Sequence, residues 1–259
     1  MDLGISGRKA IVCASSRGLG LASAKALAEA GCEVVINGRD ADRLAAVSAD
    51  LHKTTGAKII PVAGDVASTE VQKALFAACP APDILVNNNA GPPFRDFREL
   101  DRQKLLDGVI ANMVVGIELI QKAIDSMVAK KFGRIVNITS GSVKMPIAGL
   151  DLSSGARAGL TAFLAGVARS VASSNVTINF LLPGMFETDR LRSNMEMTAK
   201  KKNMTYEAAF AERVATLPMR RVGQPNEFGA TCAFLCSAHA GYITGQNILI
   251  DGGAFPGAF

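Results

Sequence analysis

Lys9-Ala10-Ile11-Val12-Cys13-Ala14-Ser15-Ser16-Arg17-Gly18-Leu19-Gly20 is the stretch that decides how the rest of the chain is read. Its first half is a short apolar run with a β-branched centre, which reads as a buried strand. Residues 21–30 are rich in Ala and Leu, read as a helix, and stop at Gly31. Glu33-Val34-Val35-Ile36-Asn37-Gly38 is a second strand. Strand, glycine-rich turn, helix and strand make a βαβ unit. A turn in that place aims free backbone N–H groups at whatever sits there, and the helix dipole favours an anion. Gly18 and Gly20 allow close approach. Taken alone, the loop could be no more than a tight turn. Its place after the first strand of a βαβ unit points to a dinucleotide pyrophosphate site.

Working outward, the alternation continues. Strands are expected at residues 58–62, 83–87, 134–138, 177–182 and 246–251, with helices at 42–51, 70–78, 100–130, 153–172 and 227–237. This order predicts an α/β fold of the doubly wound, Rossmann type, a parallel sheet covered on both faces. Such sheets bind ligands outside the carboxyl ends of their strands. That rule gathers residues 14–20, 37–39, 64–66, 87–91, 139–142 and 183–188 onto one surface. Residues 187–224 are less regular, rich in Met, Lys and Arg, and long for a connection, so a helical lid is expected there.

With 259 residues, 49% of them hydrophobic and 20% charged, the chain can bury one sizeable core. No low-complexity linker or short repeat divides it, so one domain over 1–259 is expected. The start lacks a signal-peptide pattern, and no apolar run approaches the roughly 20 residues that span a bilayer. A soluble, cytoplasmic protein is expected, with no membrane partner. The five cysteines are odd in number and fit no zinc pattern, so they read as buried thiols in a reducing compartment, with no metal. A net charge of +5 is modest, and Lys200-Lys201-Lys202 has no interleaved aromatics, so it reads as a solvated face rather than a nucleic-acid site. A basic rim also suits phosphorylated or carboxylated small molecules.

The end of the second strand bears on which dinucleotide binds. NAD sites there want an acid for the ribose 2′-OH, and NADP sites want Arg. Here the residues are Asn37-Gly38-Arg39-Asp40, and Arg17 of the loop can reach the same pocket. Two cations and a missing acid favour NADP over NAD. The alternative is that Arg39 pairs with adjacent acids while Asp40 turns inward to a ribose.

The ordered motifs resemble those of the short-chain dehydrogenases/reductases over nearly the whole length, close in pattern to the β-ketoacyl-carrier-protein reductases. The resemblance implies a cofactor loop at Ala14, Ser16, Arg17, Gly18, Leu19 and Gly20, and an adenine-holding pair at Asp65 and Val66. It implies an Asn-rich cofactor turn at Asn87, Asn88, Asn89, Ala90 and Gly91, and a nicotinamide loop at Pro183, Gly184, Phe186 and Thr188. Asn112 falls where the family keeps a catalytic Asn, and Ser140 where it keeps the catalytic Ser. Residues 242–246 and 251–253 resemble the closing signature.

Three departures stand out. Ala14 replaces the first glycine of the cofactor loop, where its methyl crowds the pyrophosphate. The Asn-rich turn has an ambiguous register and runs into a stiff Gly91-Pro92-Pro93. The family's Tyr-x-x-x-Lys is here Ser153-x-x-x-Arg157, its alignment fixed by Ala156-Arg157-Ala158-Gly159-Leu160. In the usual mechanism a Tyr acidified by Lys protonates the carbonyl oxygen as hydride arrives. Ser153 can donate a hydrogen bond to a developing alkoxide but is a poor general acid. Arg157 can hold the nicotinamide ribose and supply positive charge, yet it exchanges no proton near neutrality. Ser140 can polarise the carbonyl, and Asn112 can anchor a water chain. Ser153 can equally be a helix N-terminal serine that satisfies backbone donors.

Three functions fit these residues. The first is an NADP(H)-dependent oxidoreductase acting on a small carbonyl or alcohol compound. The second is a non-catalytic nucleotide-binding protein, a sensor or assembly subunit. The third is non-redox chemistry of the kind carried out by the halohydrin dehalogenases, which the resemblance disfavours because those enzymes keep the Tyr and give up the cofactor loop. Homo-oligomers, dimers or tetramers, are expected from the apolar helices at 100–130 and 153–172. The apolar tail Phe255-Pro256-Gly257-Ala258-Phe259 is placed to dock on a neighbour or back on its own sheet.

Overall fold

A computed structural model describes residues 1–258; Phe259, the last residue of the apolar tail, lies outside the described residues. Seven strands form one parallel sheet: β1 (Lys9–Val12), β2 (Glu33–Gly38), β3 (Ile59–Ala63), β4 (Ile84–Asn87), β5 (Gly133–Ile138), β6 (Val176–Pro183) and β7 (Asn247–Ile250). Their order is β3-β2-β1-β4-β5-β6-β7. The chain winds outward from β1 to β3, then returns to the other side of β1 for β4. Ligand crevices open at that reversal, beyond the carboxyl ends of β1 and β4.

Parallel neighbours need long crossovers, which the helices supply. α1 (Gly18–Glu29), α2 (Ala41–Thr55) and α3 (Thr69–Ala78) belong to the first half. α4 (Arg102–Val109), α5 (Val115–Ala129) and α6 (Asp151–Val171) follow, then α7 (Asp189–Lys202), α8 (Tyr206–Ala215) and α9 (Pro225–Leu235). Alternate strand residues enter opposite layers. Val12, Ile36, Val86 and Val136 pack with Leu27 of α1 and Phe228 of α9. Ile11, Val35, Leu85 and Ile135 pack with Leu119 of α5 and Leu160 and Leu164 of α6. Each such side chain contributes about 1.5–3 kcal/mol by leaving water. The two layers therefore hold the strand ends at fixed positions, and the loops beyond them inherit that precision.

The expected helix over residues 100–130 is not continuous. α4 and α5 are joined by a π-helical turn, Ile110–Val114, with Asn112 at its middle. The Asn112 side chain is buried, and its Nδ2 donates to the Gly108 carbonyl oxygen at 3.1 Å. Gly108 is fixed from outside, since a Cβ there would lie 2.6 Å from Leu152 Cγ of α6. The inserted residue turns Asn112 toward the sheet, and such π turns recur at functional sites. Residues 187–224 contain α7 and α8 and then return to the loop after β6 through an isolated bridge between Phe186 and Gly223. Among the described residues, no helix is long and apolar enough to cross a membrane.

Candidate active site

The glycine loop after β1 is built for an anion. α1 opens at Gly18 with Arg17 as its N-cap and no side-chain capping bond. Among the described residues, no protein acceptor meets the N–H groups of Ser16, Arg17, Gly18, Leu19 or Gly20. Unmet donors at a helix N-terminus suit a pyrophosphate. Gly18 has φ +58°, and a Cβ on Gly20 would fall on the Ala14 carbonyl oxygen and 2.8 Å from Asn88 Nδ2. Ala14 itself sits at φ +44°, a left-handed conformation that costs an L-residue about 1–2 kcal/mol. The substitution of glycine there is thus carried as backbone strain. Asn37 Oδ1 holds it, accepting from Ala14 N at 3.2 Å.

That bond corrects one expectation. Asn37 is a positioning residue and offers its side chain to no cofactor: it is 1% exposed, and its Nδ2 donates to the Val62 and Gly64 carbonyls. Gly38 leaves room for Ser16, whose Cβ would lie 2.8 Å from a Cβ at Gly38. Asp40 is spent as the N-cap of α2, accepting from Arg43 N at 3.0 Å, so it does not turn inward to a ribose. Arg39 is exposed and forms no ion pair among the described residues, while exposed Arg17 lies 3.8 Å from Asp189. Asp65 is exposed and braces its own turn through Ala67 N, and Val66 is buried behind it. These residues fit a dinucleotide with an extra phosphate at the end of β2.

The Asn-rich turn is pinned residue by residue. Asn87 Nδ2 donates to Asn137 Oδ1 at 2.9 Å and to the Gly116 carbonyl. Asn88 Nδ2 reaches the Ala14 carbonyl, tying this turn to the glycine loop, and Asn89 Nδ2 reaches that of Ala111. Asn89 Oδ1 then accepts from Ala90 N at 2.8 Å. The Arg190 guanidinium lies over Gly91, where a Cβ would sit 2.9 Å from Nη1. Past β6, Gly184 lies so close to the last turn of the sheet that its Cβ would fall 2.7 Å from Asp251 Cα. Thr188 caps α7, and a Cβ on Gly18 would meet its methyl at 3.7 Å. Phe186 corrects a second expectation. Its ring is buried edge-on against Phe228 at 5.4 Å, so the side chain anchors the loop to α9.

Ser153 and Arg157 occupy one face of α6, four residues apart. The helix starts two residues before Ser153, with Leu150 as N-cap, and it is Ser154 whose hydroxyl bonds the Leu150 carbonyl. Ser153 therefore caps nothing. Its Oγ accepts from Arg157 Nε at 3.2 Å, and among the described residues its own proton has no acceptor. Arg157 Nη1 donates to the Ile138 carbonyl at 2.9 Å, locking α6 to the end of β5, two residues before Ser140. Ser140 starts the short 3₁₀ turn there, its Oγ accepting from Ser142 N. Arg157 is buried and among the described residues has no carboxylate partner, and burial, then the nearby Arg190, bring its pKa down to about 10.

Ser153 lines a cavity of about 270 Å³, at the small end of ligand pockets. Ala90, Pro92 and Pro93 form one wall, Gly108, Ala111 and Asn112 another, and Leu150 and Leu152 a third. Arg95, Lys104 and Asp107 stand at the rim. A second, water-sized cavity of about 30 Å³ lies behind, lined by Asn87, Asn112, Asn137 and Arg157. Asn87 Oδ1 and Asn112 Oδ1 are buried without a donor. Burial pushes the Cys13 and Cys32 thiols up to about 12, which makes them inert. No three metal-ligating side chains come together among the described residues.

A family model described as enoyl-(acyl carrier protein) reductase matches residues 13–254. The chain belongs to the short-chain dehydrogenase/reductase family. It is 33% identical to the NADPH-dependent reductase BacG of Bacillus subtilis over 96% of this chain and 98% of that one. It is 34% identical to the 3-oxoacyl-[acyl-carrier-protein] reductase FabG of Aquifex aeolicus, over 98% and 100%. The crystal structure of L-sorbose reductase from Gluconobacter frateurii with NADPH and L-sorbose superposes with a TM-score of 0.94 at 27% identity, over 99% of this chain and 100% of that one. Within this short-chain dehydrogenase/reductase, sequence reading missed two pocket residues, Arg95 and Lys104, and it missed Arg190, which lies over the Gly91–Pro92 turn beside the pocket. The stiff Pro92-Pro93 and the basic stretch after residue 187 were the signals available for them.

Proposed function

We propose that this short-chain dehydrogenase/reductase reduces a small carbonyl compound with NADPH, and that Ser153 under the charge of Arg157 replaces an ionisable acid. The observation that carries the reading is the bond from Arg157 Nε to Ser153 Oγ. It occupies a lone pair of the hydroxyl and leaves its proton free to enter the pocket. Residues 16–20 would hold the pyrophosphate, Arg17 and Arg39 the extra phosphate, and Asp65 with Val66 the adenine. Asn88, Asn89, Ala90, Gly91, Pro183, Gly184 and Thr188 border the nicotinamide end. Bound there, the nicotinamide supplies the hydride.

The chain's own residues do the rest. Ser153 and Ser140 donate hydrogen bonds to the carbonyl oxygen as negative charge gathers on it. Arg157, a desolvated cation, stabilises that charge and fixes the Ser153 rotamer. A serine does not release its proton outright, so the alkoxide is protonated by water. The 30 Å³ cavity suits one water bonded by Asn112 Oδ1, Asn87 Oδ1 and Arg157. α7 and α8, running on from the Thr188 cap, would supply the lid. Five free, buried thiols support a reducing, cytoplasmic setting, and exposed Leu105, Leu106, Ile110 and Phe163 on the α4–α6 side support pairing of copies.

Ser153→Ala tests the reading. Removing one such donor costs about 10²–10³ in kcat elsewhere, and a loss of that order is expected here, with KM for NADPH little changed. An unchanged kcat would place the donor elsewhere and remove the basis of the proposal.

A further inference from the structure

The substrate can be narrowed by the charges around the pocket, an inference that rests on the reductase reading above. Arg157 lies behind Ser153, Arg95 stands at the rim, and Arg190 lies along the turn that makes one wall. Arg190 Nη2 donates to the Pro92 carbonyl at 3.4 Å, and the group is near enough to Arg157 to depress its pKa. Among the described residues none of these three guanidinium groups has a carboxylate within ion-pairing distance. Lys104 at the rim is neutralised by Asp101. Asp107 is the one carboxylate in the lining among the described residues; it accepts from the neutral Gln103 Nε2 at 2.8 Å, so it keeps its charge but is outnumbered by the three guanidinium groups. Cations of one sign around a small pocket repel one another and attract an anion. The planar Arg fork matches carboxylate and phosphate oxygens two at a time.

We propose that the substrate carries an anionic group, a carboxylate or a phosphate ester, besides its carbonyl, and that Arg95 and Arg190 hold this group while the carbonyl oxygen lies at Ser153. The cavity of about 270 Å³ confines the compound to a small one.

The test compares matched pairs with NADPH present: levulinate against its methyl ester, and dihydroxyacetone phosphate against dihydroxyacetone. The charged member of one pair is expected to show kcat/KM at least about tenfold higher, equivalent to 1.4 kcal/mol, and the pair that responds identifies the anion. Arg95→Ala with Arg190→Ala brings that ratio to about one, and Arg190→Lys alone retains part of it. Tm in the presence of NADPH reads binding independently of turnover and is expected to rise with the charged member only. Ratios of about one in both pairs, with no Tm response to either anion, overturn the proposal. So does a raised KM for NADPH with an unchanged ratio in the double variant, which assigns Arg190 to the cofactor. If no pair is reduced but Tm rises with an anion in the wild type and not in the double variant, the anion site stands and the reductase reading fails.

Discussion

Arg157→Met is expected to lower kcat/KM by on the order of 10³ while Tm stays level or rises. The two halves of this result have separate causes. Arg157 fixes Ser153 through Nε and supplies the one buried positive charge behind it, so both are lost together. The fold, by contrast, gains from the loss of that charge. Burial and Arg190 bring the pKa of Arg157 from 12.5 to about 10, and a shift of that size corresponds to on the order of 3 kcal/mol against the folded state at neutral pH. The sign follows from proton uptake. Between about pH 10 and 12.5 the unfolded chain binds more protons, so stability rises with pH through that window, and below it the cost is fully present. Against this gain stands the Ile138 carbonyl left without a donor, worth about 1–3 kcal/mol. The terms nearly cancel, whereas activity does not recover. Thermal melts and steady-state kinetics on one preparation read both. A variant that melts far lower yet keeps its turnover would assign Arg157 to the fold alone.

Gly20→Ala is the second large effect. The new methyl would overlap the Ala14 carbonyl oxygen and lie 2.8 Å from Asn88 Nδ2. Backbone cannot yield as a flexible side-chain end can, and Ala14 is already held at positive φ. The glycine loop must move off its register, breaking the bond from Asn88 to Ala14 and scattering the N–H groups of residues 16–20. NADPH affinity is expected to fall by on the order of 100-fold or more, with Tm lower by several degrees. Gly155→Ala is the matched control. A Cβ there meets nothing within 4 Å, and the position lies inside α6. It is expected to gain about 0.5–1 kcal/mol of stability with NADPH affinity intact. Fluorescence titration with NADPH distinguishes the two variants, and equal affinities would contradict the fit assigned to the loop.

The inner strands of the sheet were legible because they are buried on both faces. Val34-Val35-Ile36 and Ile135-Val136 carry that signal without any knowledge of neighbours. The glycine loop was legible for a related reason: its chemistry lies in the backbone, and glycine marks it. What escaped depends on contacts across the sequence. Asn37 stands at a strand end facing the ligand surface, and only its bonds to Ala14, Val62 and Gly64 show that its side chain is used up. Phe186 is drawn inward by Phe228, forty-two residues later. The π turn at Asn112 was hidden because apolar spacings of three and four absorb one inserted residue. Ser153 and Ser154 are adjacent serines with opposite duties, and side-chain direction alone separates them. Arg95 and Arg190 lie far apart in the chain, and only the fold places Arg95 in the pocket and Arg190 against the Gly91–Pro92 turn that borders it.

In the proposed function, this short-chain dehydrogenase/reductase works with a hydrogen-bond donor and a fixed cation in place of a titrating acid. No His, Cys or Tyr lines either cavity among the described residues. The pH dependence of the single-turnover rate of NADPH oxidation separates the two kinds of donor. A donor without a titrating acid gives a flat profile from about pH 6 to 9, with a decline only as Arg157 loses its proton near its pKa of about 10. A break near neutral pH, reporting an acid that titrates with the chemical step, would contradict it.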